Sequence, residues 1–338
     1  MHPFVMNTEI LSTQSAAEFQ AAVQRAAQLL RAGEVLALPT ETVYGLAANA
    51  LDAAAVAKIY EVKGRPPHNP IIVHVADAEL ARRCVTHWPA VATDLAKAFW
   101  PGPLTVVLPK SADVPDIVTG GGSTVGVRWP SHPFIQAVIR QCGFPLAAPS
   151  ANLANQVSPT NAAHVGKQLG GRIPLIVDGG QAQVGIESTV VDLTTDPPTV
   201  LRPGMIHEES LVAVTGELVS HRKKALPGAA LRSPGQLAKH YAPKARLLVL
   251  RWNDMAELRA RIPDHGARVH VIAHTRIPAA EGFAGVSVIP HDAEAFARAI
   301  YAELHRCDEA DAELIVVEAL PDLPAWRGIA DRLSRAAA

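Results

Sequence analysis

The pattern of apolar and polar residues predicts short strands alternating with amphipathic helices along most of the chain. The clearest helix begins after a capping box formed by Ser15 and Glu18 and ends at Gly33. Between these limits, four apolar residues recur at helical spacing on one face: Phe19, Val23, Ala27 and Leu30. A second helix is predicted from Asp52, a suitable N-cap, to Gly64.

Further helices are predicted at "VATDLAKAFW", where Pro101 and Gly102 stop the pattern, at "PFIQAVIRQCG" and at "NAAHVGKQLGG". Short apolar segments between them predict strands, namely "EVLAL", "PIIVHV", "LTVVLPK", "TVGVRWP", "PLAAPS", "PLIVDGG", "STVVDL" and "TVLRPG". This order predicts an α/β fold built on a twisted, mixed sheet within residues 1–207.

The composition changes after residue 207. A short helical pattern is followed by "HRKKALPGAALRSPGQLAKHYAP", which is rich in Pro, Gly and basic residues, so we predict a linker over residues 208–243. From residue 244 to residue 338, strand and helix patterns alternate again. They predict a second, smaller α/β domain of Rossmann-like type.

The bulk composition narrows the functional classes. The chain has 338 residues, 49% of them hydrophobic, and a formal net charge of -1, which argues against a surface built to grip nucleic acid throughout. The three cysteines are far apart and predict no zinc site. The sequence shows neither a signal-peptide pattern nor an apolar run of membrane-spanning length, so we expect a cytoplasmic protein.

Two polar clusters follow predicted elements directly. Lys63 and Arg65 in "KGRPPHNP" suit an anion such as phosphate, although a solvated basic turn at a helix end has the same composition. In "APSANLANQVSPT", the polar residues Ser150, Asn152, Ser158 and Thr160 suit a nucleotide, while helix capping by Ser158 or Thr160 would explain only one of them.

Weaker candidates lie in other strands. Arg128 could clamp a carboxylate, but a single strand arginine is more often a surface residue. Glu187 and Asp192 give no carboxylate pair at the spacing of a metal site. The chain contains no P-loop, no GxGxxG after a strand, no HExxH and no GxSxG, so phosphate recognition would use basic side chains.

Together, seven ordered blocks resemble the YrdC/Sua5 family in its long, Sua5-type form. The blocks are "PTETVYGL", "KGRPPHNPIIVHV", "FWPGPLTVVL", "TVGVRWPSHP", "PSAN…SPT", "GIESTVVD" and "LRPG", and the added "SPGQLAKHYAP" marks the long form. The resemblance implies a nucleotidyltransferase that joins L-threonine, bicarbonate and ATP into threonylcarbamoyl-AMP and pyrophosphate. It also implies that separate tRNA threonylcarbamoyl-transfer proteins use the product to form t6A at A37.

The same resemblance implies residue roles. Lys63 and Arg65 match the KxR pair, taken as catalytic, and Ser150 and Asn152 match its SxN partners. The remaining ATP contacts implied are Asn69, Thr124, Ser158, Arg202 and Tyr241, besides Lys63, Arg65, Ser150 and Asn152. The threonine contacts implied are Thr42, His74, Arg128, Ala148 through its backbone and Ser188. No protein metal ligand is implied; Mg²⁺ is expected to arrive with ATP.

Tyr241 belongs to the "HYAP" motif, which the resemblance implies folds across the cleft as a lid. The chain departs from the family pattern at "SANLAN", where Ala154 and Asn155 replace Ser and Gly, and at Lys239, where Arg is usual. The first departure predicts an altered loop next to Ser158.

Two alternatives remain open from the sequence. The basic cleft could be a binding module with weak affinity for RNA, which would depend strongly on salt. A carbamoyl-phosphate-dependent transferase is the other, because related domains occur in hydrogenase maturation proteins. Those proteins carry zinc-finger and acylphosphatase segments that this sequence lacks.

Overall fold

A computed structural model describes residues 7–220, 240–262 and 268–338. The strands are β1 (Glu9–Ser12), β2 (Leu36–Leu38), β3 (Gly45–Asn49), β4 (Val73–His74), β5 (Leu104–Pro109), β6 (Thr124–Arg128), β7 (Leu146–Ala147), β8 (Leu175–Asp178), β9 (Thr189–Asp192), β10 (Thr199–Arg202), β11 (Val219–Ser220), β12 (Arg246–Leu250), β13 (Val269–Ala273), β14 (Gly285–Val288) and β15 (Leu314–Glu318).

The helices are α1 (Ala16–Arg31), α2 (Ala53–Lys63), α3 (Ala78–Arg83), α4 (Ala90–Phe99), α5 (Asp116–Thr119), α6 (Pro133–Cys142), α7 (Ala162–Leu169), α8 (Glu208–Thr215), α9 (Met255–Arg261), α10 (Ala293–Glu309) and α11 (Arg327–Ala336). A 3₁₀ turn at Pro324–Trp326 leads into α11.

A large mixed sheet forms the first layer of the fold. Within residues 7–220 it has the strand order β1-β8-β2-β3-β7-β4-β6-β5-β9-β10-β11, with parallel and antiparallel neighbours. Helices α1 and α6 contact each other, and Phe19 meets Phe134 edge-to-face with ring centroids 5.3 Å apart. The predicted twisted mixed sheet is therefore confirmed.

The first two helices begin and end where the sequence predicts. Ser15 and Glu18 form the reciprocal capping box of α1. The Asp52 carboxylate accepts hydrogen bonds from two backbone N–H groups at the start of α2, and Gly64 ends that helix at φ 60°. A left-handed residue at this point favours glycine, and it turns the chain toward Arg65.

The second sheet is smaller and entirely parallel. Among the described residues from 240 onward, its order is β12-β15-β13-β14; helices α9 and α10 connect strands, and α11 follows β15. Every residue of β13 and β15 is buried, as expected for central strands of a sheet covered on both faces. This confirms the smaller Rossmann-like α/β unit.

The segment predicted as a linker contains two described parts, residues 208–220 and residues from His240 onward. Helix α8 contacts α4, and β11 pairs in parallel with β10, so residues 208–220 extend the large sheet. Residues 221–239 lie outside the described part of the chain, and Lys239 is one of them. The lid prediction can be followed only from His240 onward.

Some elements differ from the sequence prediction. The segment "PIIVHV" forms only the two-residue β4, because Pro70 lacks an N–H and Ile71 donates instead to the Val118 carbonyl at 2.8 Å. Strand β3, "GLAAN", was not predicted because Gly and Ala are weak strand formers. It pairs antiparallel with both β2 and β7, so its neighbours decide its conformation.

No helix in residues 7–220, 240–262 and 268–338 is both long and apolar enough to cross a membrane. Cys84, Cys142 and Cys307 are free thiols.

Candidate functional site

A cleft opens where the loops of the large sheet meet the start of the second unit. Its lining residues are Thr40, Thr42, Val43, Gly45, Arg65, Ile72, His74, Arg128, Ala148, Pro149, Ser150, Glu187, Ser188, Arg202, His240 and Tyr241. A second, smaller recess shares Arg65, Ser150 and His240 with it and adds Lys63, Pro66, Asn69, Asn152, Ala154 and Asn155. We refer to these two as the cleft and the recess.

Lys63 and Arg65 lie at the junction of the cleft and the recess. The Lys63 ammonium donates to the backbone carbonyls of Ser150, at 2.5 Å, and Asn152. Arg65 donates through Nε to the Asn69 carbonyl at 3.2 Å and through Nη2 to the Pro70 carbonyl at 2.8 Å. These hydrogen bonds hold Lys63 against the loop after β7 and Arg65 against the loop before β4.

Both cations are buried, with exposed fractions of 2% for Lys63 and 7% for Arg65. No carboxylate of the described residues forms an ion pair with either one. Burial, followed by the repulsion of Arg65, lowers the pKa of Lys63 well below its usual value. Burial also lowers the pKa of Arg65, to about 10. The pair therefore lacks a counter-charge that an anionic ligand would supply.

The loop after β7 is held by its own polar side chains. The Asn152 amide donates to the carbonyls of Leu153 and Gln156 at 2.7 and 2.9 Å. Asn155 adopts φ 66°, a left-handed conformation that Asn tolerates better than most non-glycine residues. The departure from glycine at this position is thus accommodated without unfolding the loop.

Neither Ser158 nor Thr160 caps the following helix. Asn161 is the N-cap of α7, and its side-chain oxygen accepts the backbone N–H of His164 at 2.9 Å. The capping alternative from the sequence is therefore wrong. Ser158 is fully buried instead, and its hydroxyl lies 2.6 Å from Glu187 Oε1.

Arg128, at the end of β6, is a buried residue rather than a surface one. It lies 2.8 Å from a carboxylate oxygen of buried Glu41 and donates through Nε to the Gly102 carbonyl at 3.3 Å. His74 pairs with Arg128 in the parallel register of β4 and β6. Burial, and then the Arg128 charge, lowers the pKa of His74 to about 3, so its imidazole is neutral at physiological pH.

Ser188 and Arg202 also line the cleft. Arg202 donates through Nε to the Ser188 carbonyl at 3.0 Å and through Nη2 to the Ser188 hydroxyl oxygen at 3.1 Å. The Ser188 and Thr105 hydroxyls are 2.8 Å apart. The antiparallel pairing of β9 and β10 brings the "GIESTVVD" and "LRPG" blocks together.

Tyr241 reaches the cleft from beyond the undescribed segment. Its side chain is 1% exposed, its backbone adopts φ 60°, and its ring lies 3.9 Å from the His240 ring, centroid to centroid. Ala242 donates to the Asn155 carbonyl at 2.9 Å, which anchors this segment to the recess. His240 and Tyr241 of the "HYAP" segment thus line the cleft.

Most of the residues implied by the resemblance are brought together. The cleft is lined by Thr42, Arg65, His74, Arg128, Ala148, Ser150, Ser188, Arg202 and Tyr241, and the recess adds Lys63, Asn69 and Asn152. Thr124 and Ser158 line neither; Ser158 contacts the lining residue Glu187, and Thr124 starts β6 opposite Pro109.

Sequence reasoning missed the roles of Glu41, Glu187 and His240 in building the site. Glu41 lies between Thr40 and Thr42 in "PTETVYGL", and His240 precedes Tyr241 in "HYAP". Both residues could have been selected because they lie within motifs already predicted to form the site. Glu187 was considered only as a metal ligand. No group of three or more metal-ligating side chains occurs among the described residues.

Profiles of known families match nearly the whole chain. Residues 28–204 match Sua5_yciO_yrdC, described as Telomere recombination, and residues 206–338 match Sua5_C, described as Threonylcarbamoyl-AMP synthase, C-terminal domain. The chain belongs to the Sua5/YciO/YrdC family. Because both profiles match in order, it has the long, two-part form that the "HYAP" segment indicates.

Characterised relatives share this full length. The Threonylcarbamoyl-AMP synthase of Pyrococcus abyssi is 40% identical over 323 residues, which cover 93% of each chain. That of Bacillus subtilis is 42% identical over 328 residues, covering 93% of this chain and 92% of the relative. The structure of P. abyssi Sua5 complexed with L-threonine has a TM-score of 0.90 at 38% identity and covers 98% of both chains.

Proposed function

We propose that this protein is an L-threonylcarbamoyladenylate synthase, an enzyme that makes threonylcarbamoyl-AMP and pyrophosphate from L-threonine, bicarbonate and ATP. Relatives of the same length carry this name at 40% and 42% identity. The product supplies the threonylcarbamoyl group of t6A at position 37 of tRNA. Separate transfer proteins receive it, because the reaction ends at a free adenylate.

The observation that carries the proposal is the charge of the cleft. Lys63 and Arg65 are both buried at the junction of the cleft and the recess, whereas the nearby carboxylates of Glu41 and Glu187 already pair with Arg128 and Arg332. An excess of buried positive charge is costly unless a ligand compensates it. The phosphates of ATP supply that compensation in the proposed reaction.

The residues of the cleft and the recess suit two different substrates. We assign the ATP phosphates and ribose to Lys63, Arg65, Asn69, Ser150, Asn152, Arg202 and Tyr241, which line the cleft or the recess, together with Thr124 and Ser158, which line neither. We assign threonine to Thr42, His74, Arg128, the Ala148 backbone and Ser188, which line the cleft. Arg128 takes the threonine carboxylate, since a guanidinium matches its planar geometry.

The reaction then needs alignment more than it needs a protein nucleophile. The amine of threonine attacks bicarbonate-derived carbon to give a carbamate, with loss of water. A carbamate oxygen attacks the α-phosphorus of ATP, and the bond from that phosphorus to the bridging oxygen breaks, releasing pyrophosphate. Positioning the reactants in this way is worth about 7–11 kcal/mol of the barrier. Lys63 and Arg65 neutralise the charge that builds on the phosphates.

Magnesium belongs to the nucleotide in this scheme. Glu187 is the carboxylate among the lining residues of the cleft, and it is already bonded to Ser158 and Arg332. These residues therefore fit an ion held by phosphate oxygens and water rather than by protein ligands. When bound, Mg²⁺ withdraws charge from the phosphates.

We assign three regions to the chain, with the boundaries predicted from the sequence. We assign residues 1–207 to the catalytic domain, residues 208–243 to the linker and lid, and residues 244–338 to the C-terminal domain. Within the linker, residues 208–220 extend the large sheet, and His240 and Tyr241 line the cleft. Tyr241 and His240 close over the cleft and exclude water, which protects an adenylate that hydrolyses readily.

The proposal is tested by pyrophosphate release from ATP, measured with and without L-threonine and bicarbonate. We expect release only when both are present, and a much lower rate when L-serine replaces L-threonine. Lys63→Ala and Arg65→Ala should abolish release, because each removes an uncompensated cation from the nucleotide side. Lys58→Ala is the matched control, since Lys58 lies on the same helix in an exposed pair with Glu34.

Release that is indifferent to threonine would overturn the synthase assignment. So would an absence of release accompanied by tight, salt-sensitive RNA binding, which would favour the binding-module alternative. Mass-spectrometric detection of threonylcarbamoyl-AMP identifies the product directly.

A further inference from the structure

Glu187 is the centre of a buried network that joins the catalytic and C-terminal domains. Its Oε1 accepts from the Ser158 hydroxyl at 2.6 Å, and its Oε2 accepts from Tyr301 at 3.0 Å and from Arg332 Nε at 2.8 Å. Arg332 also donates through Nη2 to the Glu187 backbone carbonyl at 3.1 Å. The same C-terminal side chain thus holds both the carboxylate and the backbone of Glu187.

Arg332 holds two further parts of the cleft wall. Its Nη1 donates to the Pro203 carbonyl at 3.1 Å, directly after Arg202. Its guanidinium carbon lies 5.4 Å from the centre of the Tyr241 ring, within the range of a cation–π contact. Arg332 is 1% exposed and Tyr301 is also 1% exposed, so solvent does not compete with these bonds.

The backbones of the two domains approach closely around this network. A Cβ on Gly328 would lie 2.9 Å from the backbone of Gly204, and one on Gly185 would lie 2.3 Å from the Ala297 carbonyl oxygen. Such contacts are closer than a side chain permits, so helices α10 and α11 are seated directly on the loops that carry Glu187 and Arg202. The network is therefore held at a defined distance from the cleft.

We propose that Arg332 and Tyr301 of the C-terminal domain are positioning residues for the nucleotide side of the active site, acting through Glu187, Ser158 and Tyr241. This inference rests on the proposed synthase function. Neither residue lines the cleft or the recess, whereas Glu187 and Tyr241 line the cleft. The C-terminal domain thereby determines the orientation of groups in the active site, in addition to packing against the catalytic domain.

Chemistry supports an orienting role for this carboxylate. Burial alone would raise the pKa of Glu187, but Arg332, Arg202 and the Ser158 hydrogen bond outweigh it and lower the pKa. An ionised carboxylate only accepts hydrogen bonds, so the Ser158 hydroxyl must point its proton at Glu187. This leaves the lone pairs of the Ser158 hydroxyl available as acceptors.

The test uses full-length enzyme with two conservative substitutions. Tyr301→Phe removes one hydroxyl from the network, and Arg332→Lys keeps the charge but loses the planar fork. We expect Tyr301→Phe to lower kcat/KM for ATP about tenfold, as expected for a lost hydrogen bond to a charged group. We expect Arg332→Lys to lower it about a hundredfold, through a displacement of the reacting groups. In Tyr301→Phe, threonine affinity without ATP should change by less than about twofold, since Arg128 and His74 are untouched.

Arg327→Met is the matched control. Arg327 lies on the same helix and also pairs across the two domains, with Glu208 at 3.1 Å, but its side chain is 43% exposed. It should leave kcat/KM for ATP within about twofold of wild type, as exposed pairs contribute little. The melting temperature and the affinity for a non-hydrolysable ATP analogue are measured for every variant.

The outcomes separate this inference from the proposed function. Variants that melt earlier but keep the wild-type kcat/KM and analogue affinity per folded molecule would overturn the positioning role and leave a purely structural one. Weaker analogue binding in Tyr301→Phe and Arg332→Lys, but not in Arg327→Met, supports the inference even if wild-type enzyme releases no pyrophosphate. A wild-type enzyme that releases no pyrophosphate would overturn the synthase function alone. A wild-type enzyme that does not bind the ATP analogue would overturn the synthase function and the positioning role together.

Discussion

The Arg128 guanidinium lies 2.8 Å from the Glu41 carboxylate, and both side chains are buried. The ion pair connects the turn between β2 and β3 to the end of β6, next to the residues to which we assign threonine. Arg128 lines the cleft and Glu41 does not. A substrate carboxylate on Arg128 would therefore share the guanidinium with a partner supplied by the protein itself.

Replacing Glu41 by Gln should destabilise the free protein. The amide keeps the shape of the side chain but leaves Arg128 buried without an opposite charge, and breaking a buried pair in this way costs about 3–5 kcal/mol. The free energy of unfolding is measured by urea denaturation. We expect L-threonine to stabilise Glu41→Gln more than wild type, because its carboxylate then supplies the missing charge.

The control for this prediction is Glu34→Gln, which breaks the more exposed pair between Lys58 and Glu34. Its free energy of unfolding should change by no more than about 1 kcal/mol. Equal effects of the two substitutions would mean that the buried position of Glu41 confers no special role.

Arg128→Lys should weaken threonine binding selectively. A lysine keeps the positive charge but presents no planar fork to a carboxylate, so we expect the KM for L-threonine to rise about 10- to 100-fold. The KM for ATP should stay within about twofold of wild type, since the assigned nucleotide contacts are elsewhere. Arg140→Lys, on the exposed part of α6, is the control. A parallel rise in both KM values would contradict the assignment of Arg128 to threonine.

Binding of ATP should be accompanied by proton uptake at Lys63. Burial and then Arg65 depress the pKa of this ammonium in the free protein, and phosphate oxygens beside it would raise the pKa again. A group whose pKa rises on binding takes up protons at pH values between its two pKa values. Calorimetry in two buffers of different ionisation enthalpy counts those protons. Lys63→Met should remove the uptake, whereas Lys58→Met should preserve it.

Stability should fall when the pH drops below about 6.5, the ordinary pKa of histidine. Burial lowers the pKa of His74 and of His240 to about 3, so in the folded state both remain neutral. Between these pH values the unfolded chain binds protons that the folded chain does not. Each histidine therefore lowers the free energy of unfolding by about 1.4 kcal/mol per pH unit as the pH falls through this window.

His240→Gln should make that decline less steep, and the exposed His87→Gln should not. Denaturant titrations at several pH values between 6.5 and 4.5 measure the slope. An unchanged slope in His240→Gln would show that His240 does not stay neutral in the folded state.

Elements with strong local signals could be predicted from the sequence. The capping box of Ser15 and Glu18, the Asp52 cap and the Gly64 stop depend on neighbours within one or two helical turns, and each is found in place. Strand β3 could not be predicted, because "GLAAN" forms a strand only through its pairing with β2 and β7. The helix cap at Asn161 was missed because three polar residues in sequence offered equally suitable side chains.

The candidate site also has features that the sequence predicts and features that only the fold reveals. The sequence by itself determined which residue types gather after which elements, because "KGRPPHNP", "PSAN" and "LRPG" carry their cations and hydroxyls in contiguous blocks. Only the tertiary structure decided the partners of the carboxylates. Glu41 meets Arg128 across 87 residues of chain and Glu187 meets Arg332 across 145, and no local pattern encodes a contact at such separation. Burial makes these ion pairs important for stability, because a charge removed from water is costly unless an opposite charge lies beside it.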